Sequence, residues 1–158
     1  MKTKRPVGYL NVDLEIEASF SLEPLAKELE KTDAVLYCGP GAGKSHLLCL
    51  ESGRWPDTPD ATALALCSAI ERLPVRGRKL WDRAKLKTFD VGYDLPSGAR
   101  SVRVVLHRRT LERIVGLGAT VAFSCYRAND CNPPDLVTAN KPTPAPKRKS
   151  SSKPASRR

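Results

Sequence analysis

Residues Leu10 to Ala18 alternate in polarity: Leu10, Val12, Leu14, Ile16 and Ala18 face one way, and Asn11, Asp13, Glu15 and Glu17 the other. A period of two places side chains on opposite faces of a strand, so this segment predicts a strand with one dry and one wet face. Such a strand belongs to an antiparallel or mixed sheet covered on one side only.

Other elements follow from periodicity and stop signals. Ser21 is expected to begin a helix with Leu22, Leu25, Ala26 and Leu29 as its inward stripe and Pro24 in the first turn, where its missing N–H costs little. Ala34–Cys38 and Ser45–Glu51 are apolar runs on either side of Gly39 to Gly43, which predicts a hairpin. Thr58 as N-cap, Pro59 and Asp60 open a second helix carrying Ala63, Leu66, Cys67, Ile70 and Leu73 before Pro74. A looser helical stretch runs through Leu80 and Trp81.

Phe89, Val91 and Tyr93, a turn at Pro96 to Gly98, and Val102, Val104 and Leu106 predict a second hairpin. Thr110 is expected to cap a further helix that ends at Gly118, and Val121, Phe123 and Cys125 close the series as a strand. The expected fold is α+β: a mostly antiparallel sheet of about six strands, helices on one face, order β-α-β-β-α-β-β-α-β. The domain is placed at residues 7–127. Residues 128–158, rich in Pro, Ser, Lys and Arg, predict a disordered tail, because little in them repays the entropy of ordering.

Charge changes the picture once it is located. The chain carries 27 Lys and Arg against 17 Asp and Glu, a formal net charge of +10. Seven of those cations (Lys141, Lys147, Arg148, Lys149, Lys153, Arg157, Arg158) lie after Asn140 with no acidic residue among them, so 27 less 7 leaves 20 against 17 for the rest. The domain is close to neutral and the tail is the cation. A second basic cluster, Arg76, Arg78, Lys79, Arg83, Lys85 and Lys87, surrounds Trp81; a solvated helix face explains it more simply than a phosphate grip.

Candidate chemistry is sparse. Residues 38–45, CGPGAGKS, match a phosphate-binding loop at Gly43, Lys44 and Ser45, but Cys38 stands where the first glycine belongs and a strand pattern follows where a helix should open. A glycine-rich hairpin loop with an exposed lysine is the simpler expectation. His46 and His107 have no partner assignable from sequence, and Asp13, Glu15 and Glu17 suit a charged sheet face better than paired acid–base catalysis. The five cysteines lack the close spacing of zinc ligands, and those in apolar runs are expected in the core. Neither a catalytic set nor a cofactor or metal is expected. MKTKRP is followed by no apolar leader region, and no stretch suits a membrane span, so a cytoplasmic protein with reduced thiols is expected.

The layout resembles an uncharacterised family of small bacterial α+β domains. The carrying residues are Leu50, Glu51, Ser52 and Gly53, and the closing run Leu111 to Tyr126 with Leu117, Gly118 and Ala119. The similarity covers about residues 8 to 127. It implies a cytosolic domain of the interaction or immunity type and supplies no catalytic residues. Gly39 to Gly43 depart from it, since such relatives often carry a tryptophan and charges in the first hairpin.

The leading expectation is therefore a non-enzymatic, immunity-like protein-binding domain that meets a basic partner through Asp13, Glu15 and Glu17, with Trp55 as a contact residue. One alternative is weak, sequence-indifferent nucleic-acid association through Lys147, Arg148, Lys149, Lys153, Arg157 and Arg158. The other is phosphate or nucleotide binding at residues 39–45.

Overall fold

The first strand forms with one correction to its register. In the computed structural model, which describes residues 8–54, 56–95 and 103–127, β1 spans Tyr9–Ala18. Val12, Leu14, Ile16 and Ala18 are buried as the alternation predicts, whereas Leu10 is 39% exposed and Tyr9 takes the inward position. A bulge between Tyr9 and Val12 shifts the pairing and turns Tyr9 toward the helices. There its hydroxyl shares a 2.7 Å hydrogen bond with Thr62 Oγ1.

The remaining elements are α1 (Glu23–Leu29), β2 (Ala34–Pro40), β3 (His46–Glu51), α2 (Pro59–Glu71), α3 (Val75–Arg83), β4 (Leu86–Leu95), α4 (Arg108–Gly116) and β5 (Thr120–Arg127). Five strands form one sheet in the order β2-β3-β1-β4-β5. All neighbours are antiparallel except β4 and β5. The first hairpin is present as expected, and four helices complete the α+β fold.

Among the described residues the second hairpin is not found and the sheet has five strands, so the expected six strands and their order are not confirmed; Val102 lies outside those residues. Both flanks of β4 are already occupied, by β1 and by β5, which leaves no sheet edge there for another strand. Residues 103–107 instead lead from the helical side into α4; Val104 packs on the core and the His107 amide donates to Asp60 Oδ1 at 2.7 Å. A parallel β4–β5 pair requires such a crossover through a helix. The expected turn at Pro96 to Gly98 lies outside the described residues.

At α2 the expected side-chain cap forms. Thr58 Oγ1 accepts from Ala61 N, with Pro59 in the first turn of α2. Pro74 ends that helix and serves as N-cap of α3, the looser helical stretch. Two starts differ from expectation. Leu22, not Ser21, is the N-cap of α1. α4 begins at Arg108 with His107 as N-cap, which puts Thr110 inside the helix with a buried hydroxyl.

The C-terminus of α4 closes as a Schellman motif. Gly118 N donates to Val115 O and Ala119 N to Ile114 O, with Gly118 at φ +68°, a conformation that glycine adopts without steric cost. Trp81, fully buried, donates its indole N–H to Leu117 O at 2.9 Å and so joins α3 to this terminus. Arg113 binds α4 to α2 through a two-pronged pair with Glu71 and a further bond to Ser68 Oγ.

One face of the sheet carries the core. Val12, Leu14, Ile16, Leu48, Leu50, Phe89 and Val91 pack with Leu25, Leu66, Ile70, Trp81 and Ile114 from the four helices. The alternate residues of the same strands form the opposite face, which no described helix covers.

Candidate binding face

The register brings the wet positions of separate strands into rows. Glu51 of β3 lies directly opposite Asp13 of β1, and Asp90 of β4 lies opposite Asp13 on the other side. Ala122 of β5 continues that row beyond Asp90. The next row runs Tyr37, Cys49, Glu15, Thr88, Thr120. A third contains Leu47, Glu17 and Leu86. Three carboxylates thus stand abreast at the sheet centre, and Glu15 stands two residues along the strand from the middle one.

Directly opposite residues in antiparallel strands have Cα atoms about 4.5–5.5 Å apart, and like charges so placed oppose pairing. Among the described residues no cation forms a salt bridge with Asp13, Glu15, Glu51 or Asp90. Asn11 Nδ2 donates to Asp13 Oδ1 at 2.8 Å, and Ser124 Oγ donates to Asp90 Oδ2 at 2.6 Å. Asp90 Oδ1 is buried and has no hydrogen-bond partner.

This crowding appears in the acidities. Burial first, then Glu51, Asp90 and Glu15, push the Asp13 carboxyl up to about 6. Glu15 moves the same way, through burial and the charge of Asp90. Cys49, half-buried beside the carboxylates, has its thiol pushed up to about 12 by burial and then by Asp13, Glu15, Glu51 and Asp90. A thiol held neutral in a negative field is a poor nucleophile.

The sequence marks neither Asp90 nor Glu51 as part of an acidic face; Glu51 enters there only within the Leu50 to Gly53 motif. Each sits at a wet alternate of its own strand, but only long-range pairing reveals that both flank Asp13. Glu17, which was singled out, stands at the margin of the group beside Leu47 and Leu86. Exposed Tyr37 and Tyr126 lie toward the two sheet edges on this same face, as their pairing with Cys49 and Asp94 shows.

The other candidates are dispersed. Lys44 is exposed in the first hairpin loop, Ser45 Oγ donates to Ala42 O at 2.8 Å, and the chain continues into β3 with no helix N-terminus. His46 is half-buried in β3, and His107 is exposed at the start of α4 rather than at a strand end. Of the cysteines expected in the core, Cys67 is buried, Cys38 and Cys49 are half-buried and Cys125 is exposed. Cys125 is exposed because β5 is an edge strand. Trp81 is enclosed and unavailable for stacking, with Lys87 Nζ 5.5 Å from its ring centre. Trp55, Cys131 and the tail residues Lys147, Arg148, Lys149, Lys153, Arg157 and Arg158 lie outside the described residues.

The fold and this face define an α+β sandwich with its helices on one side and an acid-centred sheet surface on the other. No family model, curated protein or solved structure matches the chain. No described helix is long and apolar enough to cross a membrane.

Proposed function

We propose that this protein is a binding module that captures a cationic protein segment on the open face of its sheet. The observation that supports this reading is the row Glu51, Asp13, Asp90: three carboxylates abreast without a described counter-ion. A sheet does not gain stability from such a row, and local conflict of this kind concentrates at functional sites. A Lys- or Arg-bearing partner relieves the repulsion on binding, and the negative surface draws it in during encounter. Tyr37 and Tyr126 offer ring faces to cationic side chains at the margins. The immunity-like role implied by the family resemblance is one instance of such capture, with a basic toxin as the partner.

Titration with a deca-lysine peptide tests the reading. Binding should weaken as salt rises and should be lost in a chain carrying Asp13→Asn, Glu15→Gln, Glu51→Gln and Asp90→Asn, which removes charge while keeping shape. Face-independent capture, or none by either the natural chain or one whose seven tail cations are changed to Gln, rejects it.

A further inference from the structure

Resting on that reading, we propose that the first occupant of the acidic face is the chain's own C-terminal segment, residues 141–158, which thereby competes with any external cationic partner. Charge complementarity is the first argument. The segment has seven basic residues and no acidic one, and it follows a domain whose exposed sheet surface centres on four carboxylates lacking described counter-ions.

The second argument is the charge of the other side. The four helices together carry eight Lys and Arg against six Asp and Glu, with the excess of cations on α3 and α4. A polycationic segment is repelled by α3 and α4 and drawn more strongly to the sheet, whose open face centres on carboxylates. Electrostatics therefore selects one face of the two.

Reach is the third. Asp90 is level with Ala122 on β5, five residues before Arg127, or about 17 Å at roughly 3.3 Å per residue. Asp13 lies two strands from β5, about 10 Å across the sheet. The straight path from the end of β5 to the carboxylate row is thus about 20 Å. The stretch from Arg127 to Lys141 extends to at most about 46 Å. The segment arrives with length to spare, at an effective concentration on the order of millimolar.

The test compares the natural chain with one in which Lys141, Lys147, Arg148, Lys149, Lys153, Arg157 and Arg158 are all changed to Gln. At low salt the NMR signals of Asp13, Glu15, Glu51 and Asp90 should differ between the two chains, and the difference should vanish at high salt. Deca-lysine should bind the tail-neutral chain about tenfold or more tighter. Signals that coincide at low salt, with face-dependent peptide binding equal in both chains, overturn the inference and leave the binding face standing. Absence of peptide binding in both chains removes the reading beneath it as well. Shifts that grow with protein concentration, together with a dimer lost in the tail-neutral chain, place the segment on a second copy and overturn the intrachain form.

Discussion

Asp13 stands between Glu51 and Asp90 in the same row of the sheet, so one carboxyl group faces two others across both of its strand neighbours. Burial first, and then the charges of Glu51, Asp90 and Glu15, raise its pKa from an ordinary 3.8 to about 6. Because the folded state holds this proton more tightly than the unfolded chain, the Asp13 contribution to stability is fully present below pH 3.8 and is lost as pH rises through 6.

Asp13→Asn should consequently stabilise the protein at neutral pH. Amide replacement keeps an acceptor for Asn11 and removes two like-charge pairs, for an expected gain of about 1 kcal/mol in thermal or denaturant unfolding. The advantage over the natural chain should shrink as pH falls toward 4. The comparison is cleanest in the tail-neutral chain, where no docked cation offsets the repulsion. A variant less stable than its parent at pH 7.5 contradicts the electrostatic account.

Glu71 should behave in the opposite sense. Its hydrogen bonds with Arg113 hold the Glu71 carboxyl below the usual range, so this stabilisation is present above pH 4.5 and is lost as pH falls through the depressed value. The pair is partly exposed, so Glu71→Gln should cost only about 0.2–1 kcal/mol at pH 7 and nothing measurable in strong acid. Paired unfolding curves at the two pH values check both the size and the sign.

What the sequence conveyed depended on the range of the interaction. The inward positions from Val12 to Ala18 and the Thr58–Pro59 helix start were legible because each is set by near neighbours. Leu10 was not, since the bulge that admits Tyr9 is secured by Thr62, far along the chain. The hairpin expected after Tyr93 is not found among the described residues for a similar reason: local alternation marks a strand but does not choose its neighbours. The acidic face was half legible on the same terms. Asp13, Glu15 and Glu17 share one strand and announce themselves together, whereas Glu51 and Asp90 join them only through pairing.

Trp81→Phe should destabilise the domain without altering the sheet face. The change removes the indole donor and leaves Leu117 O, at the end of α4, without that partner in the interior, a loss of about 1–3 kcal/mol. Affinity for deca-lysine at a temperature where the variant is folded should match the parent. A large loss of affinity would mean that the helical layer takes part in capture.

The central row and the periphery should separate by single substitutions in the peptide titration. Glu51→Gln removes one of three abreast carboxylates, so affinity should fall several-fold, with a shallower dependence on salt because one fewer charge meets the peptide. Glu28→Gln removes an equal charge from α1, where Lys31 already pairs with it, and should leave affinity within experimental error. Equal losses from the two would show that the peptide responds to total charge alone; a loss confined to Glu51 assigns the recognition to the row itself.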